Sequence, residues 1–138
     1  MSPDLSSPNL SGVDRFVFSP RTVDKPWGSE LIWAQSEDYA GKILFVRAGQ
    51  SLSLQFHKVK DEAWYVLSGR AQLELGAIGE RMLNSEVVGP GASFHFQAGT
   101  VHRLTAVEDT TILEVSTPQL DDVVRLEDRY GREGSSEA

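Results

Sequence analysis

Residues 49–69 read GQSLSLQFHKVKDEAWYVLSG, and their spacing, Gly49-x5-Gln55-x-His57-x4-Glu62-x6-Gly69, decides how the rest of the chain is read. Gln55 and His57 stand two apart, so on a strand both point to one face. Glu62 opens the next apolar run. A second stretch, residues 91–102 (GASFHFQAGTVH), brings in His102 after a tight Gly99-Thr100-Val101 turn. Two imidazole nitrogens and a carboxylate oxygen suit Zn, Fe, Mn, Co or Ni, with the Gln55 amide oxygen as a fourth donor. The chain has no cysteine, so disulfides and thiolate ligands are excluded and a metal must be held by N and O.

Working outward, the pattern is strand after strand. Residues 30–34 and 42–47 are β-rich and separated by turn-prone 36–41. Further runs follow at 50–57, 63–68, 70–75, 80–84, 92–96, 101–107 and 111–115, broken at Gly49, Gly69, Gly76, Gly79, Gly89-Pro90-Gly91 and Gly99. Many short strands with no sustained helical period predict an all-β antiparallel sandwich or barrel. Residues 15–18 are expected as an edge strand, ended by Pro20 and the Lys25-Pro26-Trp27-Gly28 turn, with Trp27 closing one end of the barrel. Residues 119–129 are expected to form a helical turn begun by Pro118, with Asp121, Asp122 and Asp128 in capping and solvating roles. Residues 1–13 and 133–138 are polar and aperiodic and are expected as disordered tails around one domain, 14–132.

The formal charge of −7 argues against nucleic acid, which needs clustered Lys and Arg, but leaves a small anion open. No apolar run reaches the length of a membrane span and residues 1–15 lack a signal-peptide pattern, so the expected address is the cytoplasm, without membrane contact. Within 51–57, Ser51, Ser53, Gln55 and His57 alternate with Leu52, Leu54 and Phe56. If the polar face lines the interior, the apolar face needs a cover, from the N-terminal segment or from a second subunit; a homodimer is therefore expected.

Four motifs in order, KPWGSE (25–30), SLSLQFH (51–57), GTVHRL (99–104) and DDVVRLEDRYGR (121–132), carry a resemblance over residues 21–132. The chain resembles the cupins, and within them the C-terminal cupin domain of bifunctional mannose-1-phosphate guanylyltransferase/mannose-6-phosphate isomerase enzymes and its small free-standing relatives. The resemblance implies a cupin double-stranded β-helix, or jelly-roll, barrel. It also implies one divalent metal ion per subunit, Zn ahead of Mn, Co, Ni or Fe, on Gln55, His57, Glu62 and His102. The implied reaction interconverts mannose 6-phosphate and fructose 6-phosphate through a cis-enediol(ate). A Gly-rich phosphate loop is absent, and the chain has no room for the nucleotide half of those enzymes.

For catalysis the candidates are His95, Lys60 and Arg103; for the small sugar-phosphate substrate, Arg103, Lys58, Lys60 and Trp64. Arg103 offers a planar, always charged fork for an anion. Lys58 and Lys60 lie near the expected mouth of the barrel, where the resembled enzymes carry further His and Arg. Alternation sets His95 opposite Phe94 and Phe96, and Trp64 on the face of Glu62. The facing of Lys42 is not fixed by the pattern. Two rivals stand beside the isomerase: a metabolite-binding cupin without turnover, which the short chain favours, and a metal oxygenase, since two His and one carboxylate also form a facial triad. Gln55 and the isomerase-like flanks count against the oxygenase.

Overall fold

Apolar runs cut by glycine become short strands in the computed structural model, which describes residues 9–136. They are β1 (Arg21–Lys25), β2 (Gly28–Gln35), β3 (Ala40–Val46), β4 (Leu54–Phe56), β5 (Glu62–Ser68), β6 (Ala71–Ala77), β7 (Asn84–Val88), β8 (Ser93–Phe96), β9 (Thr100–Ala106), β10 (Thr110–Ser116), β11 (Val123–Glu127) and β12 (Gly134–Ser136). Two six-stranded antiparallel sheets result, ordered β1-β2-β3-β10-β5-β8 and β12-β11-β4-β9-β6-β7. This is the expected all-β antiparallel jelly roll. Among the described residues the only helical piece is a 3₁₀ turn, Asp14–Phe16, and no helix is long and apolar enough to cross a membrane.

The core lies between the sheets and is built by alternation. On β5, Glu62, Trp64 and Val66 are buried, whereas Tyr65 and Leu67 are exposed on the outer face. Trp64 and Val66 join Trp27, Leu44, Leu52, Leu73, Phe96, Leu104 and Ile112 in one apolar cluster. Burying each large side chain contributes about 1.5–3 kcal/mol. Glycine is required in the 25–30 motif because β2 runs against β3: a Cβ on Gly28 would sit 1.8 Å from the Phe45 carbonyl oxygen.

Several expectations are corrected. Residues 15–18 hold the 3₁₀ turn, and the edge strand is instead β1, which pairs with β2. The run at 80–84 falls mostly in the loop before the strand; the strand is β7, placed by its pairing with β6 rather than by its own apolar pattern. Residues 119–129 form no helix, because Val123 and Arg125 alternate inward on β11, which pairs with β4. Residues 134–136, expected within a tail, pair with β11 through backbone bonds that need no side-chain pattern. Residues 9–13 are exposed, and the remainder of the expected N-terminal tail, residues 1–8, lies outside the described residues, as do 137 and 138.

Regular alternation also fails across 51–53. Only β4 is a true strand there, with one isolated bridge from Ser51 to Thr105, so Leu52 turns into the core. Leu54 is buried within the single chain. This segment therefore supplies no uncovered apolar face for a second subunit.

Candidate metal-binding site

Three elements converge inside the barrel. His102 stands on β9, Glu62 begins β5 in the opposite sheet, and His57 directly follows β4. All three side chains are buried, and their nearest ligand atoms lie within 4.8 Å of one another. His57 Nδ1 donates to the Asp122 carbonyl and His102 Nδ1 to the Thr100 carbonyl at 3.0 Å; a carbonyl can only accept, so both hydrogens are fixed on Nδ1. Each Nε2 then presents a lone pair. These nitrogens stand 3.4 Å (His57) and 3.1 Å (His102) from Glu62 Oε1, itself an acceptor.

His57 Nε2, His102 Nε2 and Glu62 Oε1 are buried and have no hydrogen-bond partner. Three buried acceptors facing one another call for a cation between them, or else protons on the imidazoles. The donor set, two imidazole nitrogens and one carboxylate oxygen, fits a divalent transition ion. Neighbouring rings fix the imidazoles: Phe96 stacks on His102 at 4.6 Å between centroids, and Trp64 meets it edge-on at 5.6 Å.

The other oxygen of Glu62 receives Lys60 Nζ at 2.9 Å. Lys60 also reaches Glu114 at 3.4 Å, and Glu114 accepts Trp64 Nε1 at 3.0 Å. Burial opposes the Lys60 charge, but the Glu114 and Glu62 carboxylates outweigh it and raise its pKa. For Glu62, burial would raise the pKa, yet the two imidazoles, when protonated on Nε2, and the charge of Lys60 hold it well below the usual carboxylate range. Glu114 is pushed upward, first by burial and then by the charge on Glu62.

The loop bearing Lys58 and Lys60 is clamped by Asp122. Its carboxylate accepts backbone N–H bonds from Lys58 (3.0 Å), Val59 (2.7 Å) and Lys60 (2.8 Å). A small burial penalty is outweighed by these donors, and its pKa falls below the ordinary value. Asp122, read from sequence as a capping and solvating residue, thus holds the loop that carries His57.

Gln55 lines the same cavity and is the register neighbour of both His102 and Arg125. Its Nε2 donates to the Ser53 carbonyl at 3.4 Å, which leaves the amide oxygen as its remaining acceptor. Lys60 and Trp64 also line the cavity. The structure does not bring His95 there. It pairs in register with Ala63 on the outer face, more than half exposed, and binds Asp61 at 2.9 Å. Phe96 points inward, so its neighbour must point out. Arg103 follows His102 along β9 and faces outward for the same reason, where its fork grips Glu74 at 2.9 and 3.1 Å. Lys58 is exposed and lies outside the cavity lining.

Sequence reasoning missed Lys25, Glu30, Lys42, Glu114 and Arg125, all of which line the cavity. Lys25 and Glu30 bound the 25–30 motif, so a signal existed for them. Arg125 was hidden by the helical reading of its segment; on a strand, its spacing from Val123 puts both on one face.

Comparison with known proteins found relatives by sequence and by fold. The family model described as Mannose-6-phosphate isomerase C-terminal matches residues 15–128. Mannose-1-phosphate guanylyltransferase 2 of Escherichia coli O157:H7 is 32% identical over 120 residues, covering 83% of this chain and 24% of that protein. The Salmonella typhimurium guanylyltransferase ManC is 35% identical over 119 residues, covering 81% and 23%. The chain therefore spans about a quarter of the length of these relatives. Among solved structures, the capsular polysaccharide assembling protein CapF of Staphylococcus aureus superposes with a TM-score of 0.72 at 15% identity, over 83% of this chain and 34% of that one, a likeness of fold alone.

Proposed function

This chain belongs to the mannose-6-phosphate isomerase C-terminal family, and from that premise we propose that it is a metal-dependent aldose–ketose isomerase for a phosphorylated sugar, of the mannose 6-phosphate to fructose 6-phosphate type. The observation that carries the reading is the trio of buried, partnerless acceptors on His57, Glu62 and His102, facing a cavity rich in cations. Those three side chains, with Gln55 as a fourth donor, would hold one divalent ion, Zn first. When bound, such an ion supplies Lewis-acid polarisation of the sugar's carbonyl and hydroxyl oxygens, worth several kcal/mol.

The chain's own residues do the rest. Isomerisation moves a proton between adjacent carbons through a cis-enediol(ate), and general acid–base help typically contributes about 10²–10⁴-fold. Lys60 is held as an ammonium, so inside the cavity it donates. Glu114, its partner carboxylate, is the acceptor we assign. Trp64 and Phe96 exclude water from the His102 side. His95 and Arg103 take no part, because both face away. The test is a coupled assay with mannose 6-phosphate on metal-loaded protein. Turnover lost in Lys60→Met and Glu114→Gln, with metal retained, supports the assignment; wild-type protein inert with Zn, Mn, Co and Ni ends it.

A second reading is a cupin that binds the sugar phosphate without converting it. What favours it is that Lys60 and Glu114 are tied to each other at 3.4 Å, with Lys60 held as an ammonium that cannot take a proton from carbon. Binding of mannose 6-phosphate by an inert, metal-loaded protein would establish it. We also propose that the chain pairs with a second copy through the outer face of the β1–β8 sheet. There Tyr65 and Leu113 are register partners, and Leu67 and Val115 lie exposed beside them. These side chains carry no charge, so two chains of net charge −7 can meet there without burying a carboxylate.

A further inference from the structure

Among the described residues, four buried side-chain N and O atoms have no hydrogen-bond partner: His57 Nε2, His102 Nε2, Glu62 Oε1 and Ser53 Oγ. The first three face one another and are answered by a shared cation. The fourth is not. Ser53 is 1% exposed, lines the same cavity, and belongs to no ion pair or set of metal donors. A buried hydroxyl left without a partner costs free energy, so its presence calls for a group that the protein itself does not supply.

The serine two residues back shows the contrast. Ser51 Oγ lies 2.8 Å from the Leu52 carbonyl, 3.3 Å from the Leu104 carbonyl and 3.0 Å from Thr105 Oγ1, so its hydroxyl is used within the fold. Regular alternation is lost between the two serines, and both Leu52 and Ser53 line the cavity. Position and chemistry then narrow what Ser53 can take. Its carbonyl accepts Gln55 Nε2 at 3.4 Å, which sets the serine beside the amide offered to the metal. The lysines of the cavity wall and Arg132 are occupied by carboxylates: Lys60 by Glu62 and Glu114, Lys25 and Lys42 by Glu30, Arg132 by Asp128. What stays open beside the metal donors is a neutral group that both donates and accepts. A ligand hydroxyl has the same two capacities, whereas a carboxylate or an ammonium has only one.

We propose that Ser53 Oγ is a ligand-binding group of this cavity and holds a hydroxyl of the sugar on the metal side. This rests on the cavity being the sugar-phosphate site, and it does not require turnover. The experiment pairs Ser53→Ala with Ser51→Ala in the full-length protein. Melting temperatures are taken without metal or sugar, and metal content by elemental analysis after loading. Affinity for mannose 6-phosphate is measured by calorimetric titration of the metal-loaded protein. Ser53→Ala removes a hydroxyl with no partner in the fold, so it should melt no lower than wild type and keep its metal. It should bind mannose 6-phosphate roughly three- to tenfold more weakly, the loss of one neutral hydrogen bond. Ser51→Ala should do the reverse, with a lower melting temperature and unchanged affinity. A Ser53→Ala protein that melts well below wild type, or fails to fold, has lost a structural bond; one that loses its metal has lost a metal ligand. Either result overturns the assignment, and so does unchanged affinity for mannose 6-phosphate. If wild type binds the sugar phosphate without converting it and Ser53→Ala weakens that binding, the isomerase reading falls and the Ser53 contact stands. Wild type that binds no sugar phosphate overturns both.

Discussion

Replacing Asp122 with alanine should loosen the site without replacing any residue that lines the cavity. The carboxylate accepts three backbone N–H bonds, from Lys58, Val59 and Lys60, at 3.0, 2.7 and 2.8 Å. Each bond to a charged acceptor is worth about 1.5–3 kcal/mol when water cannot replace it. The Lys58 and Val59 bonds are exposed and their groups will rehydrate, so only the half-buried Lys60 bond counts near its full value. The loss should be about 2–3 kcal/mol, or a fall in melting temperature of roughly 6–12 °C for a domain of this size. Because the loop carries His57, metal affinity should drop about 10–100-fold, as for other groups that orient ligands. The pH dependence has a definite sign. Asp122 titrates below its ordinary value, so its stabilisation is present above about pH 3.9 and is lost as pH falls through the lower folded value. The gap between wild type and variant should therefore be constant from pH 6 to 8 and close in acid. Calorimetric melting and competition with a chromogenic chelator would measure both quantities. A variant with wild-type melting temperature and wild-type metal affinity would refute the clamp.

Other outcomes follow from the same geometry. His57→Ala removes one of three converging donors, so elemental analysis should find the bound metal largely lost after dialysis. Arg103→Ala breaks only partly exposed pairs, with Glu74 and Glu127, and should cost less than about 1 kcal/mol, with kcat/KM for mannose 6-phosphate unchanged in the coupled assay. Gly28→Ala would drive a Cβ into the Phe45 carbonyl oxygen and should destabilise by about 3 kcal/mol in urea unfolding. Leu113→Asp, on the outer face of β10, should halve the mass seen by light scattering if two copies meet there; an unchanged mass for both proteins sinks that contact.

What could be read in the chain beforehand followed burial pattern. The strands around Glu62, His102 and Leu113 were placed to within a residue or so, because each alternates between core and solvent. His57, Glu62 and His102 were visible because glycine-marked turns fix their spacing. Strand β7 was misplaced because its residues are mostly exposed on both faces, and β12 because its sequence, Gly-Ser-Ser, carries no apolar alternation. The 119–129 segment misled through its acidic start, which mimics a helix N-terminus. The facing of Lys42 could not be fixed at all. Lys42 alternates inward with Leu44 and Val46 on β3, and what licenses a lysine in that buried row is Glu30, twelve residues away on β2, a partner that no local pattern reveals. Arg103 and His95 show the converse error: adjacency to a site residue in sequence places a strand residue on the opposite side of the sheet.

The pairing order also bears on how the site comes into being. Strand β3 waits for β10 and β4 waits for β11, so neither sheet closes until most of the chain is available. His57 finds its carbonyl partner at Asp122, 65 positions later, and the loop after His57 is tied down by that same residue. During synthesis the His57 loop must therefore stay unanchored until residue 122 has left the ribosome. Sequence-distant pairing of this kind makes folding slow, with loop-closure entropy lost before any contact is gained. A growing chain stopped after β10 would hold His57, Glu62 and His102 without the clamp that aligns them, so metal uptake becomes a late event, tied to the docking of β11.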